Sequence, residues 1–262
     1  MKEKHRGLGL FAGLVFLFLL GPLVIIMATS FGDSAILQFP PEGFSLRWYK
    51  NIFDVSMFMS TFKVTMGVAL LGNLIALLIG VPAAYALSRG QFKGKSFLNN
   101  FFISPLLIPG VVLGFTMLKY LVVKFHLPIY SSLLIGHVVL MLPFIIRVIG
   151  SSLSSFDYAI EEASMSLGAS RVKTFFTVVL PNIRSGLIAG VLLAFLESFN
   201  NVDISVFMTG PGVSTLPIQM LTYVENYFDP TIAAISVLLM VMTGGLMILI
   251  ERLMGLSVFT NK

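Results

Sequence analysis

The sequence predicts an all-α polytopic membrane protein with six transmembrane helices, and three observations support this fold class. Hydrophobic residues make up 56% of the 262 residues, and charged residues only 11%. A soluble globular domain carries about 25% charged residues, so this chain has too few polar groups to cover a water-facing surface. The mean hydropathy is +0.94, and the apolar residues come in continuous runs of about 20, the length of a helix that crosses a bilayer.

Composition also excludes several other classes of protein. The sequence contains no cysteine, which excludes a disulfide framework and a thiolate metal site. The low charge and high apolar content exclude a cytosolic enzyme and an intrinsically disordered chain. The net charge of +5 is typical of membrane proteins with basic cytoplasmic loops, so we expect a lipid bilayer around the chain and no nucleic-acid partner.

Six apolar runs are the predicted transmembrane helices. The first follows a basic start, but it is longer than the roughly 7–15 residues of a signal-peptide core, which favours a retained anchor over a cleaved signal. The fourth run is short, and polar residues interrupt the fifth. Pro105 and Pro109 lie in the third run and are expected to bend or end its helix. The runs are Leu8–Met27, Val64–Leu87, Phe101–Val123, Leu133–Ile149, Gly186–Met208 and Ile232–Ile250.

The distribution of basic residues predicts the orientation of the chain. With the N-terminus in the cytoplasm, 12 of the 17 Lys and Arg residues fall on the inside and 5 on the outside. Cytoplasmic loops of membrane proteins carry the excess of Lys and Arg. Six crossings then return the C-terminus to the cytoplasm.

The longest predicted cytoplasmic loop, residues 151–184, contains signals for two short helices. Asp157 can cap the start of one helix, and Ser170 can cap the start of the next. Gly168 between them suits the left-handed turn that ends a helix, and Pro181 is expected to limit the second helix. Taken alone, this pattern fits either a compact projection into the cytoplasm or an amphipathic pair lying on the bilayer surface.

Residues 90–96 are similar to a phosphate-binding loop but do not complete its pattern. The motif has four residues between its two glycines, whereas Gly90 and Gly94 are separated by three. The segment also follows a predicted membrane helix, whereas a phosphate-binding loop follows a strand. We therefore expect a basic turn here, and neither an ATP site nor another cofactor in this chain.

The spacing of residues in the long loop resembles the cytoplasmic signature of ABC importer permeases. That signature is Glu-Ala-Ala, three residues, Gly, nine residues, an aliphatic residue, one residue and Leu-Pro. This chain has Glu162-Ala163-Ser164, then Gly168, Val178 and Leu180-Pro181 with every gap matched. The one departure is Ser164 in place of the second alanine, which is a change between small residues.

Three further segments resemble the same family. They are Phe44–Tyr49 after the first helix, Thr209–Ile218 after the fifth, and Phe228–Ala234 before the sixth. The last of these is similar to the polyamine-type branch. The likeness covers about Ser60–Ile250 and implies three parts: an anchor helix with an extracytoplasmic loop (1–59), a core permease domain with coupling helices at about 157–181 (60–252), and a cytoplasmic tail (253–262).

The resemblance implies a type I, MetI-like importer permease in a bacterial inner membrane. Two permeases would pair, here as a heterodimer, above a dimer of cytosolic ATPase subunits that bind ATP and Mg, and an extracytoplasmic binding protein would deliver the small-molecule solute. The chain itself would be a transport subunit and not an enzyme. The residues that would couple it to the ATPase are Glu161, Glu162, Ala163, Ser164, Gly168, Ala169, Leu180 and Pro181.

Polar residues in the fifth run predict a translocation path. On a helix with 100° per residue, Glu197, Asn200, Asn201 and Asp203 fall within an arc of about 160° and form one polar face. Carboxylates inside a membrane usually line a cavity or pair with another helix, so a hydrogen-bond network between subunits is the alternative. Two acids on a path would attract a cation, which favours a polyamine or a related amine as the solute.

Other functions fit parts of the sequence. An ion-coupled secondary transporter would use Glu197 and Asp203 as ion sites, although such a protein needs no ATPase-docking signature. The same permease could carry another small organic solute. A membrane-embedded enzyme would need clustered catalytic groups, which the sequence lacks. His126 and His137 have no other potential metal ligands nearby in the sequence, so structural roles are expected for both.

Overall fold

The computed structural model describes residues 2–254, with side chains for 7–252. The predicted cytoplasmic tail at 253–262 lies outside these ranges except for the backbone of its first two residues, and the C-terminus lies outside them as well. Within the described part the chain is helical and contains no strand; a single antiparallel bridge joins Gly210 and Val213. The chain forms two compact units.

The first unit combines the chain up to Ser60 with the chain from Gln219 onward. Helix α1 (Lys2–Thr29) and the short α2 (Arg47–Asp54) both contact the last helix, α12 (Thr231–Met254). Trp48 of α2 is buried and donates from its indole nitrogen to the Gly32 carbonyl at 2.8 Å. These contacts tie α2 to the end of the first long helix.

The second unit is Thr61–Ile218. At its centre, helix α6 (Ile129–Ser155) packs along α10 (Arg184–Phe199). Met141, Ile145, Ile149 and Leu153 of α6 are fully buried. In chain order the helices between α2 and α12 are α3 (Ser56–Arg89), α4 (Lys95–Ile103), a 3-10 helix (Ser104–Leu107), α5 (Gly110–Met117), a π-helix (Leu118–Lys124), α6 (Ile129–Ser155), α7 (Tyr158–Ser166), α8 (Arg171–Thr174), a π-helix (Phe175–Val179), α9 (Leu180–Asn182), α10 (Arg184–Phe199), a 3-10 helix (Ser205–Met208) and α11 (Leu216–Asn226). The first residues of α3 and the residues of α11 from Gln219 are assigned to the first unit.

Four described helices are long and apolar enough to cross a membrane, which confirms a polytopic all-α protein. They are Gly7–Thr29, Ser56–Arg89, Ile129–Ser155 and Thr231–Arg252, and they contain four of the six predicted runs. Two bent pairs raise the number to six if each pair counts as one span.

The third predicted span is not one straight helix. Lys95–Leu107 and Gly110–Lys124 meet at 100°. Pro109 is the N-cap of α5 and has an extended backbone, and the residue before a proline avoids helical angles. The bend that the two prolines predict is therefore present.

The fifth predicted span also differs from a continuous helix. Helix α10 has 16 residues, a length of about 24 Å, which is short of the roughly 30 Å hydrocarbon core of a bilayer. The helix before it, Arg171–Asn182, meets it at 74°. The predicted run Gly186–Met208 is therefore α-helical only to Phe199, and a 3-10 helix follows from Ser205.

Candidate functional site

The predicted pair of short helices forms as its capping residues indicate. The Asp157 carboxylate accepts a hydrogen bond from the Ala159 amide at 2.9 Å at the start of α7. The Ser170 hydroxyl accepts a hydrogen bond from the Lys173 amide at 3.2 Å at the start of α8. Both caps satisfy amide groups that have no partner inside the helix, so the two helix starts are confirmed.

The turn between these helices depends on a glycine in the left-handed region. Gly168 has φ +91°, and its amide donates to the Met165 carbonyl at 3.0 Å. The Ala169 amide donates to the Ser164 carbonyl at 3.2 Å, which completes a helix-ending motif with glycine at its left-handed position. The predicted left-handed turn at Gly168 is confirmed.

Ser164, the one departure from the family signature, makes a contact that alanine could not make. Its hydroxyl lies 3.0 Å from the Thr174 hydroxyl, and Thr174 is buried. This hydrogen bond joins α7 to α8 across the glycine turn. The substitution therefore adds a connection between the two helices.

The helix pair exposes large apolar side chains. Leu167 is 90% exposed, Val172 68% and Phe176 60%. Glu162 and Ala163 are exposed as well. Exposed apolar groups close to charged ones are typical of a surface that binds another protein.

Glu161 differs sharply from its neighbour Glu162. Its side chain is 0% exposed, and its two oxygens accept from Arg89 Nε and from the Tyr85 hydroxyl, each at 2.8 Å. The sequence places Glu161 together with Glu162 among the residues that would couple the chain to the ATPase, because two adjacent acids near a helix start look alike. The two acids are distinguished by Arg89 and Tyr85, which lie 72 and 76 residues earlier in the chain.

The end of the second helix departs slightly from the prediction. The chain stays helical through Pro181 and ends at Asn182, after a π-helical turn, Phe175–Val179. Proline has no amide to donate and its ring crowds the preceding turn, and a π-turn widens the helix at such a place. Leu180 and Pro181 thus form the last turn before α10.

The prediction that the path residues share one helix face is wrong. Helix α10 ends at Phe199, and Asn200 is its C-cap. The Asn201 side chain is buried, and its Oδ1 accepts from the Ile204 amide at 3.0 Å and the Ser205 amide at 3.3 Å. Asparagine offers backbone amides this alternative to the helical ladder, so the polar run interrupts the helix.

The structure still brings the two predicted acids near each other. Glu197 is half-buried in the last turn of α10, and Asp203 is exposed beyond the break; the two carboxylates are close enough to interact electrostatically. A Cβ atom on Gly110 would overlap the Asp203 carboxylate, and one on Gly114 would lie 2.8 Å from the Asp203 carbonyl oxygen. This glycine pair lets α5 approach the break. The result is an acidic site with a helix start beside it.

A buried histidine holds both sides of the break. His137 of α6 is 1% exposed. Its Nδ1 lies 2.7 Å from the Ser198 hydroxyl and its Nε2 lies 3.1 Å from the Ser205 hydroxyl. The ring therefore connects the end of α10 to the 3-10 helix after the break, which is the structural role expected for His137. Its two serine partners, 61 and 68 residues away, were not predicted.

The segment before α12 that resembles the polyamine branch forms a helix cap. The Asp229 carboxylate accepts from the Thr231 amide at 2.8 Å and from the Tyr223 hydroxyl at 2.9 Å. Burial raises the pKa of the Tyr223 phenol, so it stays protonated and donates this bond. Capping the start of α12 is therefore a structural role for Asp229.

In the part of the chain with described side chains, no three His, Asp or Glu residues are grouped to hold a metal ion.

Two solved transporter structures have a similar fold. A bacterial alginate ABC transporter in complex with an alginate pentasaccharide-bound periplasmic protein matches with a TM-score of 0.74 at 15% identity, over 96% of this chain and 95% of that one. The MetNI methionine ABC transporter matches with a TM-score of 0.62 at 20% identity, over 75% of this chain and 94% of that one. The predicted type I ABC importer permease fold is confirmed.

Related sequences are also named as transport permeases. The putrescine transport system permease protein PotI of Escherichia coli K12 is 32% identical over 87% of this chain and 84% of its own length. The spermidine/putrescine transport system permease protein PotC of the same strain is 28% identical over 90% and 89%. These relatives are permease subunits and not enzymes, as the sequence predicted for this chain. The model of the family described as "Binding-protein-dependent transport system inner membrane component" matches residues 72–258, and this chain belongs to that family.

Proposed function

We propose that this chain is one of two permease subunits of an ATP-driven importer for a small polyamine such as putrescine. The observation that carries the proposal is the acidic site formed by Glu197 and Asp203, in a chain whose relatives are named as putrescine and spermidine/putrescine permeases. Paired carboxylates favour a cationic solute. A second permease chain completes the path as a heterodimer, and an extracytoplasmic binding protein delivers the solute.

The ATPase dimer docks on the helix pair. Glu162, Ala163 and the turn at Gly168 and Ala169 provide the polar and close-approach contacts, and Leu167 provides an exposed apolar anchor. The ATPase subunits bind ATP and Mg. This assignment places the helix pair and both termini in the cytoplasm, and it keeps 1–59, 60–252 and 253–262 as anchor, permease core and tail.

The solute path runs past the helix break. Glu197 and Asp203 attract the ammonium groups, and the exposed Asn200 amide is placed to bind them as they pass. Asn201 is buried and shapes the break through its backbone contacts. Closure of the ATPase on ATP moves the helix pair and switches the access of this path between the two sides of the membrane.

Reconstitution tests the proposal against its main alternative. The chain is purified from its host with a C-terminal tag, and the complex is placed in liposomes with ATP inside and radiolabelled putrescine and the binding protein outside. We expect ATPase subunits and a second permease to co-purify, and uptake to require ATP. Uptake by the single chain without ATP, abolished by an uncoupler, would establish an ion-coupled transporter instead.

A charge-removing variant tests the class of solute. Glu197→Gln is expected to reduce putrescine uptake about fivefold or more, because a pair of charges at about 4 Å is worth about 1 kcal/mol even in water. Glu225→Gln, which removes an exposed acid from α11, serves as the matched control and should leave uptake unchanged. Normal uptake with Glu197→Gln would favour an anionic or neutral solute.

A further inference from the structure

The buried ion pair between Arg89 and Glu161 joins the docking helices to a membrane helix. Arg89 is the last residue of α3, and Glu161 lies in the first turn of α7. Besides Glu161, the Arg89 guanidinium donates to the Phe156 carbonyl at 2.9 Å. Arg89 therefore holds both the first turn of α7 and the chain that leads into it.

Aromatic rings surround this ion pair. The guanidinium lies 5.2 Å from the centre of the Tyr158 ring, a cation–π distance. Tyr85, one turn before Arg89 on α3, donates to Glu161 and packs edge-on against Phe175 at 5.2 Å. Contacts from α3 thus reach α7 and the π-turn that follows α8. We call Tyr85, Arg89 and Glu161 the α3–α7 bridge.

Stability alone is a weak reason for such an arrangement. Glu161 is 0% exposed and Arg89 15%, and well-packed apolar residues usually stabilise a protein as much as a buried ion pair does. What an ion pair with several hydrogen bonds adds is a fixed geometry, because the planar guanidinium constrains direction as well as distance. A bridge of this kind makes two helices move as one body.

We propose that Arg89 and Glu161 are positioning residues that transmit the movement of the docking helices to α3, so that ATP hydrolysis is converted into solute transport. This inference rests on the proposed function, in which the ATPase docks on α7 and α8. Helix α3 is a 34-residue helix of the membrane region. A displacement of α7 carried into α3 reaches the full depth of the membrane.

Adjacent residues provide a matched experiment. Glu162 is exposed on the docking surface, whereas Glu161 is buried in the bridge. The complete transporter is purified as wild type, Glu161→Gln and Glu162→Gln, reconstituted in liposomes, and assayed in the same preparation for ATPase subunits bound, ATP hydrolysed and putrescine taken up.

The two variants are expected to fail at different steps. Glu161→Gln should retain the ATPase subunits and hydrolyse ATP within about twofold of wild type, and putrescine taken up per ATP should fall about tenfold, within the usual range of coupling between sites. Glu162→Gln should lose bound ATPase subunits, with uptake and hydrolysis falling together. A merely structural bridge would lower the yield of complex without changing the ratio of uptake to hydrolysis.

A milder variant keeps the test decisive if Glu161→Gln does not fold. Tyr85→Phe removes one hydrogen bond to Glu161 and leaves the ion pair and the ring contact with Phe175 in place, and it should lower uptake per ATP about twofold to threefold. A wild-type ratio in every variant that assembles would overturn the bridge as a transmitting element. Failure of the wild-type complex to show ATP-driven uptake would instead overturn the proposed function.

Discussion

Two interruptions of the helical chain, the turn at Gly168 and the break after Phe199, form by different means. At Gly168 the controlling contacts are local: a glycine with φ +91° and caps that reach two or three residues along the chain. At the break, Asn201 acts locally, but His137 from α6 joins the two sides. Local signals are sufficient to place a surface turn, whereas an interruption inside the helix bundle needs a partner from another helix.

The first prediction tests the turn and has the largest expected effect. Gly168→Asp is expected to reduce solute uptake by tenfold or more with normal membrane insertion, because a charged side chain enters the proposed docking surface. Gly94 is a matched control, since it also has φ +91° and no atom within 4 Å of an added Cβ. Gly94→Asp carries the same backbone cost of about 1–2 kcal/mol and should keep most of the uptake.

Uptake in membrane vesicles, normalised to the amount of inserted protein, measures both variants. Equal loss in the two would show that strain in a left-handed turn matters and the position does not. Normal transport by Gly168→Asp would contradict docking at this turn.

The second prediction tests the long-range contact at the break. His137→Ala removes a hydrogen-bond partner from both the Ser198 and Ser205 hydroxyls. Ser205 keeps a longer contact with Asn201 Oδ1 at 3.5 Å, and a buried group left unsatisfied costs about 1–3 kcal/mol. We expect a clearly lower unfolding temperature in detergent together with reduced uptake. His126→Asn is the control, because His126 is exposed with φ 53° and asparagine tolerates that conformation.

Thermal unfolding followed by intrinsic fluorescence gives the comparison. If His137→Ala unfolds at the wild-type temperature, the break is held by its local contacts alone. The difference between the two interruptions would then disappear.

The third prediction separates two adjacent asparagines at the break and has the smallest expected effect on stability. Asn201→Ala removes the acceptor for the Ile204 and Ser205 amides and should cost about 1 kcal/mol, as the loss of a cap does. Asn200→Ala removes only a bond from an exposed amide to the Leu196 carbonyl and should leave the unfolding temperature unchanged. Uptake by Asn200→Ala should fall if this residue lies on the solute path.

Unfolding temperature and putrescine uptake are measured for both variants. Reversal of the two stability effects would mean that Asn200 holds the break. The local contact that stabilises the break would then be that of Asn200 and not that of Asn201.

Much of the fold was predictable because membrane helices leave a strong sequence signal. Continuous apolar runs locate α1, α3, α6 and α12, since backbone groups in lipid must satisfy each other within the helix. The prolines at 105 and 109 predict the bend in the third run. The break in the fifth run was less predictable. The shared face was derived by placing the residues on a continuous helix, whereas the helix ends at Asn200 and Asn201.

The candidate site divides in the same way. The caps at Asp157 and Ser170 and the turn at Gly168 follow from single residues and their nearest neighbours, and a fixed spacing connects them to the family. The burial of Glu161 does not follow from spacing, because Glu161 and Glu162 have identical side chains in consecutive positions. Their difference arises when α3 brings Arg89 to one of them.

The sequence by itself determined the fold class, the four long membrane helices, the helix pair with its turn, and the family signature. These depend on apolar content and on bonds spanning a few residues, which are the same wherever the segment lies. Only the tertiary structure decided which acid is buried, which serines His137 joins, and that Asp203 lies against Gly110. Those contacts connect residues 61 to 93 positions apart, and such a pairing exists only once the helices have packed.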